Sequence, residues 1–216
     1  MGWRLAPDVT FCVASNRAIF LDVAADRYTC LPERLNTPFV RWILGDQAVE
    51  YRSAAAMLER AGLLVPIEGD AAPAPCRITA ARSSLSPWRP GPAAAPFMLV
   101  RLRCALNRAR RRLARQGLSG ALAHVSTQRA AASPQRDPRA IAAPLLPVGA
   151  ALGAGDDCLA RSLALVDCLH HAGSDGTVVL GVLAMPFGAH CWVQVGDCVL
   201  NDHVDRVSLF TPILVL

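Results

Sequence analysis

Residues 156–202 begin with Asp-Asp-Cys-Leu-Ala-Arg-Ser (156–162), continue through Phe-Gly-Ala-His-Cys-Trp-Val-Gln (187–194) and end with Val-Leu-Asn-Asp (199–202). Asp156 or Asp157 is suited to cap a helix, because a carboxylate accepts hydrogen bonds from the free N–H groups of the first turn. An apolar stripe at helical spacing then predicts a helix that continues to His171 and ends before Gly173. The stripe consists of Leu159, Leu163, Val166 and Leu169.

Three strands are predicted after this helix. Residues 177–185 are almost continuously apolar and β-branched, which is typical of a buried strand. Residues 189–195 alternate, so that His190 and every second residue after it point to one face. Gly196-Asp197 is typical of a hairpin turn, and 198–202 is predicted as the returning strand. The region therefore predicts a helix followed by an antiparallel sheet.

This order of residues is the one that a thiol nucleophile needs. A thiol attacks as the thiolate, and the N–H groups at a helix start lower its pKa. An imidazole stabilises the thiolate and later protonates a leaving amine, while a carboxylate orients the ring. We predict a catalytic triad of Cys158, His190 and Asp202, with the N–H of Cys158 as an oxyanion donor. Asn201 and Asp205 are alternatives for the third member, because strand register cannot be read from one sequence.

The other cysteines and histidines of this region have simpler interpretations. Free cysteine behaves as a small hydrophobe, so three are interpreted as packing residues: Cys168, Cys191 and Cys198. His170 and His171 lie near a helix C-terminus, where positive charge is favoured, and are interpreted as structural. His203 is interpreted as a solvated turn residue. No metal-ligand spacing is recognisable, so we predict neither a metal nor a cofactor.

Composition limits the class of protein. The chain has 216 residues, of which 53% are apolar, and this is enough for the cores of one or two compact domains. All 22 basic residues are arginine and 17 residues are acidic, giving a net charge of +5, but GC-rich coding produces the same arginine usage. The eight cysteines include no Cys-x-x-Cys pair, and neither a secretory signal nor a membrane-length apolar run is present. We therefore expect a cytoplasmic protein with free thiols.

The first 68 residues predict a small sheet followed by helices. Short β-branched and aromatic runs predict three strands, at 9–13, 18–23 and 27–31. Two helices follow, one from Thr37-Pro38 to Gly45 and one over 51–61. This order favours a winged-helix-like module. DNA binding is the poorer interpretation, because helix 51–61 has two arginines against one glutamate and therefore no basic recognition face.

The middle of the chain predicts a linker and a helix. Residues 69–96 are rich in proline, alanine, glycine and serine, a composition typical of a domain linker. Residues 97–116 predict a helix with an apolar stripe and seven arginines on its other faces, all within 101–115. We interpret it as a core-packed helix with a solvated arginine face, and contact with phosphates, acidic lipid or an acidic peptide is the alternative. Residues 126–147 predict an irregular connection.

Four motifs together resemble the transglutaminase-like superfamily and, more closely, the lasso peptide B proteins, which are leader peptidases of ribosomal peptide maturation. They are Asp-Cys-Leu-Ala-Arg-Ser-Leu-Ala-Leu (157–165), Pro-Phe-Gly-Ala-His-Cys-Trp-Val-Gln (186–194), Val-Leu-Asn-Asp (199–202) and Phe-Thr-Pro-Ile-Leu (210–214). The resemblance implies that Cys158 is the nucleophile, His190 the general base and acid, and Asp202 the orienting carboxylate. Cys191 and Gln194 depart from the pattern, since a small and an acidic residue are expected there.

The resemblance also implies the architecture of an α+β protein. A winged-helix-like leader-recognition domain (1–68) and a linker (69–96) precede a transglutaminase-like, papain-like cysteine peptidase domain (97–216). In fused members the first domain adds the leader peptide as a strand to its sheet, and 27–31 is the expected edge strand.

The implied activity is removal of the leader from a lasso peptide precursor. The expected partners are the precursor peptide and a separate ATP-dependent macrolactam synthetase, with neither nucleic acid nor a membrane. Two alternatives stay open: acyl transfer to an amine, as in true transglutaminases, and a non-catalytic scaffold that only binds the leader.

Overall fold

The computed structural model describes residues 2–46, 51–85, 95–131, 136–146 and 157–216. The chain divides into two compact units. Unit 1 comprises Met1–Arg77, Val182–Gly188 and Thr211–Leu214, and unit 2 comprises Ile78–Gly181, Ala189–Phe210 and Val215–Leu216. The predicted mixture of helix and sheet is confirmed. The winged-helix description of the N-terminal region stays a prediction.

Unit 1 contains a three-stranded antiparallel sheet and two helices. Its elements are β1 (Gly2–Leu5), β2 (Val9–Ala14), β3 (Arg17–Asp22), β4 (Arg27–Cys30), α1 (Glu33–Ile43), α2 (Tyr51–Arg60) and β5 (Leu64–Ile67). Strands β2, β3 and β4 form a meander with β4 at one edge. Phe11, Phe20 and Phe39 are fully buried, with ring centroids 5.2 to 5.9 Å apart. The sheet and helix α1 therefore share one apolar core.

Helix α1 begins at Glu33, earlier than predicted, and continues through Pro38. Proline is unfavourable inside a helix because it has no N–H to donate. The first turn is stabilised instead by tertiary contacts of Asn36, whose side chain accepts from the N–H of Ala18 at 2.9 Å and donates to the C=O of Asn16 at 2.7 Å. These bonds join the helix to the β2–β3 hairpin, so the local pattern alone does not indicate the true start.

The pairing of β1 with β5 is a second feature that the sequence does not predict. The two strands are antiparallel, with Gly2 opposite Ile67 and Leu5 opposite Leu64. Each is four residues long, and the rest of the predicted module separates them along the chain. Neither alternation over a long run nor a local turn therefore indicates this pairing.

Unit 2 contains most of a five-stranded sheet, together with the helices that follow the predicted linker. The elements in this part of the chain are β6 (Ser83–Ser84), α3 (Ala95–Ala131), α4 (Pro138–Ala142), a 3-10 turn (Ala143–Leu145), α5 (Cys158–His171), β7 (Thr177–Leu183), β8 (Gly188–Val195), β9 (Cys198–Val199), α6 (Val204–Val207) and β10 (Thr211–Val215). The strand order is β10-β7-β8-β9-β6. Strand β9 pairs antiparallel with β8 and parallel with β6.

Helix α5 is the central helix of unit 2. Almost every residue from Ala160 to His170 is buried. Helix α3 packs along it, and arginines of α3 bind the α5 segment: Arg108 with Asp167 at 2.8 Å, Arg110 with Asp157, and Arg101 with the C=O of Cys168 at 3.2 Å. Part of the arginine face therefore anchors the helix that begins at Cys158. Across the described ranges, no helix has the length and apolar character needed to cross a membrane.

Several segments differ from their predicted structure. Within the predicted linker, Ser83–Ser84 is strand β6, and the N–H groups of Arg82 and Leu85 donate to the C=O groups of Asp197 and Val199. These bonds join the segment to the sheet. Residues 86–94 of the predicted linker lie outside the described residues.

Helix α3 includes the helix predicted over 97–116, and the chain leaves helical geometry directly after it, at Gly117, whose φ of 66° and ψ of −168° are not helical. Helical structure then resumes and continues to Ala131, where an irregular connection was predicted from Ser126. Within the same predicted connection, Asp137 caps α4 by accepting the N–H of Arg139 at 3.0 Å. Helix α4 and the 3-10 turn follow this cap, so the prediction of an irregular connection is wrong for these residues.

Candidate active site

Cys158 is the first residue of helix α5, where the sequence predicts it. The predicted side-chain cap by Asp157 is wrong. Asp157 occupies the N-cap position, but its carboxylate accepts from Nε of Arg110 at 2.6 Å rather than from the helix. Asp156, the other predicted cap, lies outside the described residues. The first turn therefore keeps backbone N–H groups for other acceptors.

The Cys158 sulfur has three hydrogen-bond donors: the side chain of His190 and the N–H groups of Cys191 and Leu159. Burial alone raises the pKa of the thiol. The three hydrogen bonds and the charge of His190 outweigh burial, and the pKa of Cys158 lies below its ordinary 9.0. Burial dominates at Cys12 and Cys191 and raises their pKa to about 12. The thiolate is therefore favoured at Cys158 and disfavoured at these two sites.

His190 lies in β8, and its Nε2 is 2.6 Å from Oδ2 of Asp202. Since Asp202 engages Nε2, Nδ1 is the nitrogen left for the Cys158 thiol. Asp202 lies in a bend after β9, not on a returning strand as predicted, because β9 ends at Val199. Its Oδ1 accepts the N–H of His203 at 2.7 Å. Both carboxylate oxygens of Asp202 are thereby held in place.

The charges of His190 and Asp202 support each other. Burial lowers the pKa of His190, but its hydrogen bonds with Asp202 and Cys158 and their charges outweigh burial and raise that pKa from 6.5 to about 9. Burial raises the pKa of Asp202, yet the bond to His190, the N–H of His203 and the charges of His190 and Arg206 lower it overall. The geometry therefore favours a thiolate, an imidazolium and a carboxylate in sequence, an arrangement suited to nucleophilic attack and proton donation.

The alternative third members lie elsewhere. The amide of Asn201 binds the N–H of Val193 and the hydroxyl of Ser162 rather than His190. Asp205 is exposed in the first turn of α6. Of the three predicted partners, Asp202 is the one that pairs with His190.

Two aromatic rings lie close to the imidazole of His190. Trp192 stacks at 6.2 Å between centroids, and Phe210 lies at 5.1 Å with a tilt of 37°. Sequence reasoning did not assign either ring to the site, although Trp192 shares a predicted strand face with His190 and Phe210 opens a motif of the resemblance. Together they limit the orientations open to the imidazole.

Gln194 stands where the resemblance implies an acidic residue, and its contacts explain the amide. It is buried, donates to the C=O groups of Thr79 at 2.8 Å and Gly196 at 2.6 Å, and accepts from Nε1 of Trp192 at 3.2 Å. A carboxylate accepts only and has no proton for the two carbonyls. The hydrogen bonds of this buried position, next to Trp192, therefore require an amide and not a carboxylate.

The side chains of His170 and His171 have partners outside the site. Nε2 of His170 lies 3.0 Å from Asp175, and Nδ1 of His171 lies 2.7 Å from the C=O of Asp167. His203 is exposed and contributes its backbone N–H. All eight cysteines are free. In the part of the chain that the structure describes, no group of three or more His, Cys, Asp or Glu residues could hold a metal ion.

Comparison with known proteins identifies the family of the chain. Residues 98–215, more than half of the chain, match the family model of the Transglutaminase-like superfamily. Microcin J25-processing protein McjB of Escherichia coli is 46% identical over 60 residues, which are 26% of this chain and 29% of that protein. The aligned part thus spans less than a third of McjB, and no solved structure matches the chain significantly. The resemblance predicted from the four motifs is confirmed, and the chain belongs to the transglutaminase-like superfamily.

Proposed function

We propose that this protein is a cysteine peptidase that removes the leader peptide from a lasso peptide precursor. One observation carries the proposal: a buried His190 joins Cys158, at a helix start, to Asp202. The similarity to a microcin-processing protein supports a peptide precursor as substrate.

The reaction begins with attack of the Cys158 thiolate on the carbonyl carbon of the last leader residue. The N–H of Cys158 is the proposed donor to the resulting oxyanion. The imidazolium of His190 gives its proton to the departing amine, which is the new N-terminus of the core peptide. Water, deprotonated by His190, then hydrolyses the thioester and releases the leader with a free carboxylate. Asp202 orients the ring and stabilises its charged form throughout.

We propose that the leader binds to unit 1 by adding a strand at the edge of β4. Strand β4 is at one end of the order β2-β3-β4 and is only partly buried. The strand at the opposite edge, β2, already bonds to other parts of unit 1. The C=O of Phe11 accepts from the N–H of Cys76, and the hydroxyl of Thr10 donates to the C=O of Ile213. Edge pairing supplies backbone hydrogen bonds to an extended peptide of many sequences. A separate ATP-dependent macrolactam synthetase is the proposed second partner, which closes the ring on the released core peptide.

Mass spectrometry of a precursor peptide tests the catalytic proposal. Incubation with the wild type, together with the synthetase, is expected to release the intact leader and the core peptide. Cys158→Ala is expected to release neither, while Cys104→Ala, a change of an exposed cysteine on α3, retains the activity. Cleavage by Cys158→Ala, or no cleavage by the wild type, would overturn the proposal. Unchanged maturation with Cys158→Ala would favour the scaffold alternative.

Hydrogen exchange tests the leader-binding proposal independently. Full-length Cys158→Ala binds the leader without cutting it, so addition of leader peptide is expected to slow amide exchange in β4 more than in β2. A scrambled leader is the control and is expected to leave both strands unchanged. Protection that omits β4 contradicts strand addition there, and the catalytic proposal is then unaffected.

Acyl transfer to an amine is the second function that family membership favours, because both reactions pass through the same thioester. Cleavage in heavy-oxygen water with added glycinamide separates them. A peptidase incorporates the label into the new leader carboxylate, whereas an acyl transferase gives an unlabelled leader amide. We expect the labelled carboxylate to predominate.

A further inference from the structure

Strand β9 is shorter than the sequence predicts. Beyond its end, side chains instead of strand backbone form the hydrogen bonds to β8. The β8–β9 pairing consists of Val195 with Cys198 and Gln194 with Val199. The next C=O on this edge of β8, that of Val193, accepts the N–H of Leu200 at 2.8 Å. Past that point no strand within the described ranges pairs with this edge of β8.

Two side chains, Ser162 and Asn201, complete the edge. Oδ1 of Asn201 accepts the N–H of Val193 at 2.8 Å, and its Nδ2 donates to Oγ of Ser162 at 3.0 Å. Oγ of Ser162 in turn donates to the C=O of Cys191 at 3.0 Å. Ser162 is fully buried, so these bonds form out of competition with water.

The consequence for Cys158 follows from strand geometry. In an antiparallel strand the N–H and C=O of one residue point to the same side. Ser162 occupies the C=O of Cys191, and the N–H of Cys191 on that same side donates to the Cys158 sulfur. The missing part of β9 is therefore what lets helix α5 present its cysteine to the edge of β8.

The same pair links all three elements of the proposed triad. Ser162 lies one helical turn after Cys158 on α5. On β8, Ser162 donates to the C=O of Cys191, the residue that follows His190. Asn201 accepts from the N–H of Val193 on the same strand and directly precedes Asp202. We propose that Ser162 and Asn201 are positioning residues that hold Cys158, His190 and Asp202 in register and aim the N–H of Cys191 at the sulfur. This inference rests on the proposed thiol chemistry, although its test requires no peptide substrate.

The test is the pH dependence of Cys158 alkylation by iodoacetamide, read by peptide mapping because the exposed Cys30 and Cys104 react with the same reagent. In Ser162→Ala and in Asn201→Ala the midpoint for Cys158 is expected to rise by about one pH unit, which lowers its rate about tenfold at pH values below both midpoints. Since the two side chains act as one unit, the double variant is expected to shift no further than either single variant. Ser162→Thr, which retains the hydroxyl, is expected to restore the midpoint.

Ser174→Ala is the matched control. Ser174 is also fully buried in unit 2, and its hydroxyl also donates to a backbone carbonyl, that of Arg136 at 2.7 Å. This variant is expected to lower Tm without moving the Cys158 midpoint. A midpoint that stays at the wild-type value in Ser162→Ala, or that moves equally in Ser174→Ala, overturns the inference. A shifted midpoint in a protein that cuts no precursor overturns the proposed function and leaves the positioning role standing.

Discussion

The ionisation of Cys158 is a balance between burial and directed hydrogen bonds. Burial favours the neutral thiol, whereas His190, the N–H of Cys191 and the N–H of Leu159 favour the thiolate. Asp202 keeps His190 protonated by binding its far nitrogen. The pKa of the thiol is lowered and that of the imidazole is raised to about 9, so both groups are charged in the pH interval between these values.

We expect kcat/KM for leader cleavage to be bell-shaped in pH. Activity rises as Cys158 loses its proton, at a pH below the ordinary thiol value, and falls as His190 loses its proton near pH 9. Asp202→Asn removes the charge that raises the pKa of His190, so the alkaline limb is expected to move to lower pH. Rate profiles with a fluorogenic precursor measure this, and an alkaline limb unmoved by Asp202→Asn contradicts the pairing.

We expect Gln194→Glu to destabilise the protein because the substitution removes two buried hydrogen-bond donors. The new carboxylate would face the C=O groups of Thr79 and Gly196 without a proton to donate. The expected loss is about 2–4 kcal/mol of unfolding free energy, measured by urea denaturation. Gln116→Glu makes the same chemical change at an exposed position of α3 and is expected to cost about 0.5 kcal/mol or less. Equal losses in the two variants would refute this account of Gln194.

Gly181 in strand β7 supports the site because it has no side chain. A Cβ at Gly181 would lie 2.8 Å from Cβ of Phe210 and 2.8 Å from ring atoms of Trp192. The glycine therefore gives both rings the room in which they pack beside His190. Such a requirement for glycine comes from close approach between elements and not from the backbone conformation of β7.

Gly181→Ala is expected to lower the unfolding free energy by about 1–3 kcal/mol, because the added methyl group overpacks the aromatic cluster. Leader cleavage is expected to fall as well, since Trp192 must shift relative to His190. Gly188→Ala is the control, because the nearest atom to its added Cβ is a Leu183 methyl carbon at 3.9 Å. Thermal denaturation and initial rates measure both effects. A wild-type Tm and rate in Gly181→Ala would contradict this role of the glycine.

Elements with a strong local pattern were predictable, and elements defined by distant partners were not. Helix α5 begins at Cys158, and β8 carries His190 in the predicted alternation, because both periodicities extend over several residues. Strand β9 stops at Val199 because Asn201 and Ser162 take over its hydrogen bonds. The apolar pattern of residues 198–200 contains no sign of that replacement.

Across the chain as a whole, unit 1 is assembled from segments that are far apart in sequence. The hydroxyl of Thr10 donates to the C=O of Ile213 at 2.6 Å, and Tyr28 of β4 packs edge-on against Phe187. Composition and linker patterns describe continuous segments only. These patterns therefore did not predict that residues 182–188 and 211–214 belong to unit 1.

Ile213→Ala tests how much unit 1 depends on its C-terminal segment. Ile213 is fully buried, so its truncation is expected to cost about 2–5 kcal/mol of unfolding free energy. Leu209→Ala removes a similar side chain that is 65% exposed and is expected to cost about 0.5 kcal/mol or less. Chemical denaturation of the full chain compares them. Similar small losses in both variants would mean that unit 1 is stable without this anchor.

The order of Cys158, His190 and Asp202, the helix start at the cysteine and the alternating strand under the histidine all follow from the sequence. They depend on periodicity and on the known needs of a thiol nucleophile, which are local or compositional properties. The selection of Asp202 over Asn201 and Asp205, and the assignment of Asn201 to Ser162, depend on the folded arrangement of α5, β8 and the bend after β9. A hydrogen bond requires a donor and an acceptor within about 3 Å of each other, here between residues far apart in the chain, and a one-dimensional pattern carries no such distances.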